Sequence, residues 1–330
     1  MHFGKIALTL ATILFSTSVF ARDTITITGS STVFPFTQLV AENFQGNTPI
    51  VESVGTGAGV KIFCEGIGED SPDIVDASRP MKDGELKACE DAGVKSPLEL
   101  KIGYDGIVFA TAADGPDFAL TAQDVYKALA ANIVIDGKLV ANPYTNWNEI
   151  NSALPDWKID AYIPGEKHGT REVFDQKLLE VGCDKDALKA AGVVEDNIKK
   201  TCISVRKDGF VSDIDGDYSE TLARLQGNPT AVGVFGISFF IENEDKIKVA
   251  TVDGVAPSLE TIASGEYPVS RPLFLYVKQE HLGVIPGLKE FLLEYVNDAA
   301  LGPDGYLVDI GLIPLPEQER IAVQELVNNL

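Results

Sequence analysis

The sequence predicts an α/β protein, because short apolar or β-branched runs alternate with amphipathic helical stretches. Three strand–loop–helix units open the chain after residue 23. A strand at 24–28 precedes a helix at 34–44, a strand at 50–54 precedes a helix from residue 60, and a strand at 74–77 precedes a helix at 83–92. Repetition of this unit is the signature of a sheet covered by helices.

The later part of the chain continues the alternation. Buried strands are predicted at 107–111 and 273–277, and they flank a middle block of helices and strands. In that block helices are expected at 122–131, 171–181 and 218–226, and strands at 159–163 and 231–235. Amphipathic helices at 285–295 and 317–330 are expected to close the first half of the molecule.

The N-terminus has the pattern of a secretory signal peptide. Lys5 precedes a largely apolar run at 6–20, and Val19-Phe20-Ala21 supplies small residues where a signal peptidase cleaves. We therefore expect residues 1–21 to be removed on export. Since the first cysteine is Cys64, none lies at the cleavage site to carry a lipid, so a lipoprotein is disfavoured and the bacterial periplasm is the expected location.

Composition narrows the classes of partner. The chain of 330 residues is long enough for two domains, and its formal net charge of −22 disfavours nucleic acid and anionic membranes as partners. The four cysteines lack a C-x-x-C spacing or a histidine cluster, which in an exported chain indicates two disulfides rather than a metal site. Three pairings are possible, and we favour Cys64 with Cys89 and Cys183 with Cys202, which close short local loops.

Three loops have the design of an oxyanion site. In each, a strand ends, small or hydroxyl residues follow and a helix begins, so that free backbone N–H groups and the positive end of the helix dipole point outward. The alternative for each loop is ordinary helix capping by Ser or Thr. The loops contain Ser30, Ser31 and Thr32, then Thr56, Gly57 and Gly59, then His168, Gly169 and Thr170.

Two arginines strengthen this interpretation. Arg79 directly follows a hydrophobic strand, and Arg171 lies in the first turn of a predicted helix, where a cation opposes the helix dipole. A guanidinium offers paired donors that match two oxygens of one tetrahedral oxyanion. The alternative is a salt bridge to one of the 49 carboxylates of the chain.

An ordered set of motifs resembles one known family across nearly the whole mature chain. The set resembles the PstS-like phosphate-binding proteins of bacterial ABC transporters. Its members are GSSTVFPFT (29–37), GTGAGVKIF (55–63), DIVDASRPM (73–81), YDGIVFA (104–110), HGTREVF (168–174) and GYLVDIGLIPLP (305–316).

The resemblance implies a type II periplasmic-binding-protein fold. Two α/β lobes are joined by two crossover strands that serve as a hinge, and the ligand is held in the cleft between them. Residues 22–108 and 272–330 would form one lobe and residues 109–271 the other. The expected partners are inorganic phosphate and an inner-membrane ABC permease, with no cofactor, no metal ion and a monomeric protein.

The ligand set also follows from the resemblance. It comprises Ser31, the Thr32 hydroxyl, the backbone amides of Val33 and Phe34, the Thr56 hydroxyl, and Gly169 and Thr170. His168 stands where many relatives have serine, at the variable edge of this set. Arg79 and Arg171 would add positive charge, Arg171 in place of an arginine that some relatives carry before the third loop.

One departure from the family pattern concerns the proton of hydrogen phosphate. The enterobacterial form has an aspartate in its third motif that accepts this proton, whereas here Arg79 stands at that position. Sulfate carries no proton at neutral pH, so a carboxylate acceptor favours phosphate and repels sulfate. Asp105, at the expected crossover, is the candidate replacement, with Asp76 behind it; the alternative for both is ordinary turn or strand-end chemistry.

Other functions compete with this one. A hydrolase is disfavoured, because the mature chain has only His168 and His281 as histidines and lacks a G-x-S-x-G elbow. A binding protein for sulfate or molybdate, a secreted phosphatase and an adhesion module on the same fold remain alternatives.

Overall fold

The computed structural model describes residues 22–68, 70–166 and 169–330. The predicted signal peptide and His168 lie outside the described residues. The first part of the chain alternates strands and helices in the order β1 (Thr26–Gly29), α1 (Phe34–Asn43), β2 (Ile50–Ser53), α2 (Thr56–Phe63), β3 (Ile74–Ala77) and α3 (Asp83–Asp91). The three predicted strand–helix units are therefore confirmed.

A long strand then leads into the middle block, which contains more elements than the sequence predicted. The elements are β4 (Leu98–Ala112), β5 (Ala119–Leu120), α4 (Ala122–Leu129), β6 (Asn132–Ile135), β7 (Lys138–Ala141), α5 (Trp147–Ile150), β8 (Ala161–Pro164), α6 (Gly169–Phe174), a π-helical turn (Asp175–Leu179), α7 (Glu180–Gly182), α8 (Lys185–Ala190), α9 (Glu195–Cys202), β9 (Val211–Ile214), α10 (Tyr218–Gly227), β10 (Val232–Gly236), α11 (Ile237–Glu242), β11 (Ile247–Val249), β12 (Thr251–Val252) and α12 (Leu259–Ala263).

The chain ends with one strand followed by helices. These are β13 (Ser270–Val277), a 3₁₀ turn (Gln279–His281), α13 (Leu288–Val296), α14 (Asp298–Leu301) and α15 (Glu317–Asn328). None of the helices in the described ranges is long and apolar enough to cross a membrane.

Within the described part of the chain, nine strands form one sheet that runs through the molecule. Its order is β2-β1-β3-β13-β4-β10-β8-β9, with β11 paired to β4. β1 is parallel to β2 and β3, and β8 is parallel to β9 and β10, whereas β13 and β4 are antiparallel to their neighbours. The α/β class is confirmed, and β4 and β13 form the centre of the sheet.

The buried side chains form two large cores, one at each end of this sheet. One core draws on residues 25–102 and 273–327, and the other on residues 104–269 with Ile313 and Leu315. The change from one core to the other falls within β4 and next to a register shift in β13 between Leu273 and Phe274. β4 and β13 are therefore the elements that both cores share.

Helix α2 begins earlier than predicted. The sequence placed Gly57 and Gly59 in a loop and began the helix at residue 60, but the structure begins it at Thr56. Gly55 makes the turn with φ of 85°, and the backbone of Gly59 packs against β1, where a Cβ atom would stand 2.4 Å from the Cα of Gly29. This glycine thus permits close helix–strand packing.

The predicted helix at 171–181 is interrupted. It consists of α6, the π-helical turn and α7, so the backbone hydrogen-bonding pattern changes after Phe174. Single π-helical turns within helices are frequent at functional sites. This turn carries Gln176 and Lys177, which bear on the site below.

Two disulfides join the predicted pairs of cysteines. Cys64 is bonded to Cys89 and Cys183 to Cys202, with sequence separations of 25 and 19 residues. Each disulfide lies in its own small apolar cluster. Both therefore staple local segments beside the large cores, as the favoured pairing implied.

Candidate functional site

Backbone N–H groups of the first loop form hydrogen bonds within the loop itself. The Ser30 Oγ accepts hydrogen bonds from the backbone N–H groups of Thr32 and Val33 at 3.2 and 3.4 Å, and the Ser30 carbonyl accepts from Phe34 N–H at 2.9 Å. The amides of Val33 and Phe34, predicted to bind the anion, thus have partners within the loop. The Thr32 side chain is buried and donates a hydrogen bond of 3.1 Å to Glu172 in helix α6, while Ser31 is exposed.

The second loop is joined to the segment that follows strand β3. The Thr56 Oγ1 lies 3.1 Å from the Ser78 Oγ and accepts a hydrogen bond from the Ser78 N–H at 3.2 Å. Arg79 donates two hydrogen bonds of 2.8 Å to the two carboxylate oxygens of Glu85 in the first turn of α3. These bonds raise the pKa of Arg79 and lower that of Glu85. Arg79 therefore has the salt-bridge partner that the sequence left as an alternative.

Arg171 also has carboxylate partners. Its Nε donates to Asp175 at 2.8 Å, and its Nη1 donates to Asp213 at 2.7 Å and to the Pro164 carbonyl at 3.1 Å. Only 6% of the residue is exposed. Two carboxylates thus compensate a cation in the first turn of α6, where the helix dipole alone disfavours it.

One cavity gathers predicted residues that are far apart in the sequence. It has a volume of about 370 Å³, and Thr32, Asp105 and Thr170 line it together with Tyr218 and Ser238. The Tyr218 hydroxyl donates to the Thr170 Oγ1 at 3.0 Å, and burial raises the pKa of Tyr218. Four hydroxyl-bearing residues therefore share the cavity wall with apolar residues such as Phe36 and Phe239, and Asp105 is its buried carboxyl, whereas Glu242 and Asp309 line it from exposed positions.

The other predicted residues of the described ranges are not among those that line this cavity. Ser31 and Arg171 line a second cavity of about 500 Å³, and Arg79 lines a third of about 950 Å³. Thr56 is buried beside Ser78. Gly169 is the first residue of α6, and His168 before it is not among the described residues.

Asp105 is the buried carboxyl of the cavity. It is 8% exposed, and burial raises the pKa of its carboxyl, an effect that the neighbouring Arg271 guanidinium opposes. The antiparallel register of β4 and β13 places Arg271 directly opposite Asp105. Residues opposite each other in a sheet project from the same face, so this pairing is a consequence of the register.

Sequence reasoning missed Arg271 as a site residue. Its Nη2 donates to the Thr32 Oγ1 at 2.7 Å, and the same Nη2 lies 3.4 Å from the Glu172 Oε2. Arg271 thus joins the first loop, β4 and α6. The available signal was a charged residue opening the apolar strand SRPLFLYV, which is unusual for a buried strand.

The described part of the chain contains no candidate metal site, and His281 has structural partners. No group of three or more His, Cys, Asp or Glu residues there could hold a metal ion. His281 is buried, with its Nδ1 2.6 Å from an Asp73 carboxylate oxygen and its Nε2 3.0 Å from the Ile67 carbonyl. Both ring nitrogens are therefore engaged in structural contacts.

Comparisons with known proteins agree with this architecture. A family model described as the PBP superfamily domain matches residues 16–299. Protein SphX of Synechocystis sp. is 34% identical over 310 residues, covering 89% of this chain and 79% of that protein. The phosphate-binding protein PstS of Staphylococcus haemolyticus is 29% identical over 299 residues, covering 88% of this chain and 80% of the relative.

A solved structure extends the likeness to three dimensions. The crystal structure of a possible phosphate binding protein from Planctomyces limnophilus superposes with a TM-score of 0.70 at 25% identity, covering 93% of this chain and 98% of that one. The predicted type II periplasmic-binding-protein fold is thus confirmed. The chain belongs to the PBP superfamily and, within it, to the PstS-like phosphate-binding proteins of ABC phosphate transporters.

Proposed function

We propose that this protein captures inorganic phosphate in the cavity lined by Thr32, Asp105 and Thr170 and delivers it to the permease of an ABC transporter. The observation that carries the proposal is the convergence of these three residues, from segments up to 138 residues apart, on one cavity of about 370 Å³. Family membership and the names of the relatives support phosphate as the ligand.

Capture uses two lobes that close on the ligand. Residues 22–108 with 272–330 form one lobe and residues 109–271 the other, with the hinge in β4 and β13 near 104–110 and 271–277. The two separate cores support this division, since β4 and β13 are the strands that both cores share. Closure of such lobes brings together donors that are apart in the open state.

The ligand's oxygens are bound mainly by neutral donors. Thr32, Thr170, Gly169 and Thr56 contribute hydroxyl or backbone donors, and Arg79 and Arg171 contribute charge from the rim, as the family resemblance implies. Burying a dianion is unfavourable unless nearly every oxygen is matched, so a site rich in hydroxyl and amide donors suits it. The amides of Val33 and Phe34 join this set once they exchange their Ser30 partner for the ligand.

Asp105 accepts the proton of hydrogen phosphate. It is the buried carboxylate in the cavity wall, and a carboxylate there can receive a hydrogen bond from a protonated oxyanion but repels a fully ionised one. Phosphate and arsenate are therefore bound and sulfate is rejected.

Calorimetric titration of the purified mature protein tests the function. Phosphate, sulfate, arsenate and molybdate are each titrated at the same pH and ionic strength. Heat with phosphate and arsenate alone is expected, whereas heat with sulfate and none with phosphate would reject the phosphate assignment. Asp105→Asn should narrow the preference for phosphate over sulfate, and Asp253→Asn at an exposed turn is the matched control.

Location and partner complete the proposal. Members of this family are secreted periplasmic or extracellular binding proteins. We place this one free in the periplasm as a monomer without catalytic activity, after removal of residues 1–21. The intact mass of protein from a periplasmic fraction should correspond to a chain beginning at Arg22 without lipid, and phosphate-loaded protein should stimulate the ATPase of its permease. Phosphomonoester hydrolysis that copurifies with the protein would instead indicate a phosphatase.

A further inference from the structure

Arg271 is a buried cation whose hydrogen-bonding capacity is not met. It is 5% exposed, and its Nε has no hydrogen-bond partner among the described residues, although the Asp105 Oδ2 lies 3.4 Å away. Among those residues, its one short contact is the 2.7 Å bond to the neutral Thr32 hydroxyl, since Gln176 Oε1 is 3.4 Å from its Nη1. Charge-assisted bonds between guanidinium and carboxylate are normally about 2.7–2.9 Å. Because the Asp105 and Glu172 carboxylates both lie at 3.4 Å, the Arg271 guanidinium keeps N–H donors that an anion could use.

Glu172 stands where such an anion would bind. Its Oε2 accepts a hydrogen bond from the Thr32 hydroxyl at 3.1 Å and lies 3.4 Å from the Arg271 Nη2, so one carboxylate oxygen contacts both the cavity-lining threonine and the guanidinium. The other oxygen accepts from Gln176 at 2.9 Å, one turn along the same helical segment. About a third of the Glu172 side chain is exposed, 35%, so it has a path to solvent.

The charges around Arg271 disfavour binding of an anion while both neighbouring carboxylates stay in place. Arg271 faces Asp105 and Glu172, and Lys177 on the π-helical turn is a second cation nearby. Burial and the charge of Arg271 lower the pKa of Lys177, and no described residue forms a hydrogen bond or ion pair with it. The positive charges of the two cations and the negative charges of the two carboxylates already cancel. Binding of a dianion therefore costs less free energy if one carboxylate side chain moves out into water.

We propose that the tetrahedral oxyanion binds to Arg271 and Thr32 by displacing the Glu172 side chain from them. Glu172 thus occupies the site in the absence of ligand and keeps the guanidinium compensated. Arg79 and Arg171 are less suited to this role, because each already has carboxylate partners at 2.7–2.8 Å. The inference rests on the proposed function, since it assigns the cation that binds the same ligand.

Phosphate titrations of four variants and two controls test the displacement. Arg271→Gln should weaken phosphate binding by at least about 100-fold, because a charged partner is lost from a buried site, and Arg271→Lys by about tenfold, because the planar fork is lost. Glu172→Gln and Glu172→Ala should tighten binding about three- to tenfold, since the competing charge is removed. Arg224→Gln and Glu220→Gln, which break a surface ion pair, should change binding less than twofold.

The outcomes separate the inference from the function. A wild-type protein that binds none of the four oxyanions overturns both. If the wild type binds phosphate, two results overturn the displacement alone. One is a folded Arg271 variant whose phosphate affinity is within threefold of wild type. The other is a Glu172→Gln variant whose affinity is unchanged or weaker. If Arg271→Gln unfolds, as circular dichroism would show, Arg271→Lys and the partly exposed Glu172→Gln still decide the question.

Discussion

Replacing Gly59 by alanine should destabilise the protein, because helix α2 lies against strand β1 with no room for a methyl group. A Cβ at position 59 would stand 2.4 Å from the Cα of Gly29, 2.9 Å from its backbone nitrogen and 3.2 Å from the Cγ2 of Val75. Favourable carbon–carbon contacts are about 3.5–4.0 Å, so helix and strand must separate by about 1 Å. No side-chain rotation can relieve a contact with backbone atoms.

The expected loss is about 2 kcal/mol. Overpacking of a close contact costs about 1–3 kcal/mol, against which alanine gains less than about 1 kcal/mol over glycine in a helix. At about 2–4 °C per kcal/mol, the melting temperature followed by circular dichroism should fall by about 4–8 °C.

Gly57 provides the matched control on the same helix. The nearest atom to a Cβ at that position is the Arg79 Nη2 at 3.9 Å, an ordinary contact. Gly57→Ala should therefore keep or slightly raise the melting temperature. A Gly59→Ala protein within about 0.5 kcal/mol of Gly57→Ala would refute the packing argument.

Three further predictions concern charge and cross-linking. Burial raises the pKa of Asp76, so the native state keeps a proton that the unfolded chain releases and stability falls as pH rises above the ordinary aspartate range. The melting temperature of Asp76→Asn relative to that of wild type should therefore be higher at pH 8 than at pH 4. An equal difference at the two pH values would contradict this. Replacing both Cys64 and Cys89 by alanine should cost about 3 kcal/mol of unfolding free energy in denaturant titrations, given their separation of 25 residues; a loss below about 1 kcal/mol would contradict the cross-link argument. Arg79→Ala should weaken phosphate binding in calorimetry less than Arg271→Gln, because Glu85 already holds the Arg79 guanidinium; the reverse order would place Arg79 at the ligand.

Local sequence patterns were sufficient to predict those elements whose formation depends on neighbouring residues. The alternation of strands and helices follows from hydrophobic periodicity, and it located β1, β3 and α1 within two residues at most of their boundaries. The β6–β7 hairpin was missed although its Asp136-Gly137 turn, with φ of 50° and 72°, is a recognised hairpin signal. That omission was a failure to use a signal that the sequence contains.

Long-range pairing could not be predicted in the same way. Asp213 is 42 residues from Arg171, and 49 carboxylates in the chain could have been its partner. The position of Arg271 depends on the register of two strands that are more than 150 residues apart. The sequence therefore indicated the loops of the candidate site but not which arginine has unsatisfied donors.

The two ends of the chain contribute to one core, and this constrains the order in which the protein folds. Ile25, Ile27 and Ile102 pack with Leu273 and Val327, so about 250 residues separate the first strand from the strand that completes this core. Contacts of such long sequence separation slow folding, because a large loop must close before the contacts form. The N-terminal segment thus lacks part of its core until about the last 60 residues of the chain are present, whereas the middle block has nearly all of its partners within itself. We expect the middle block to become protected first and the ends of the chain to dock onto each other last.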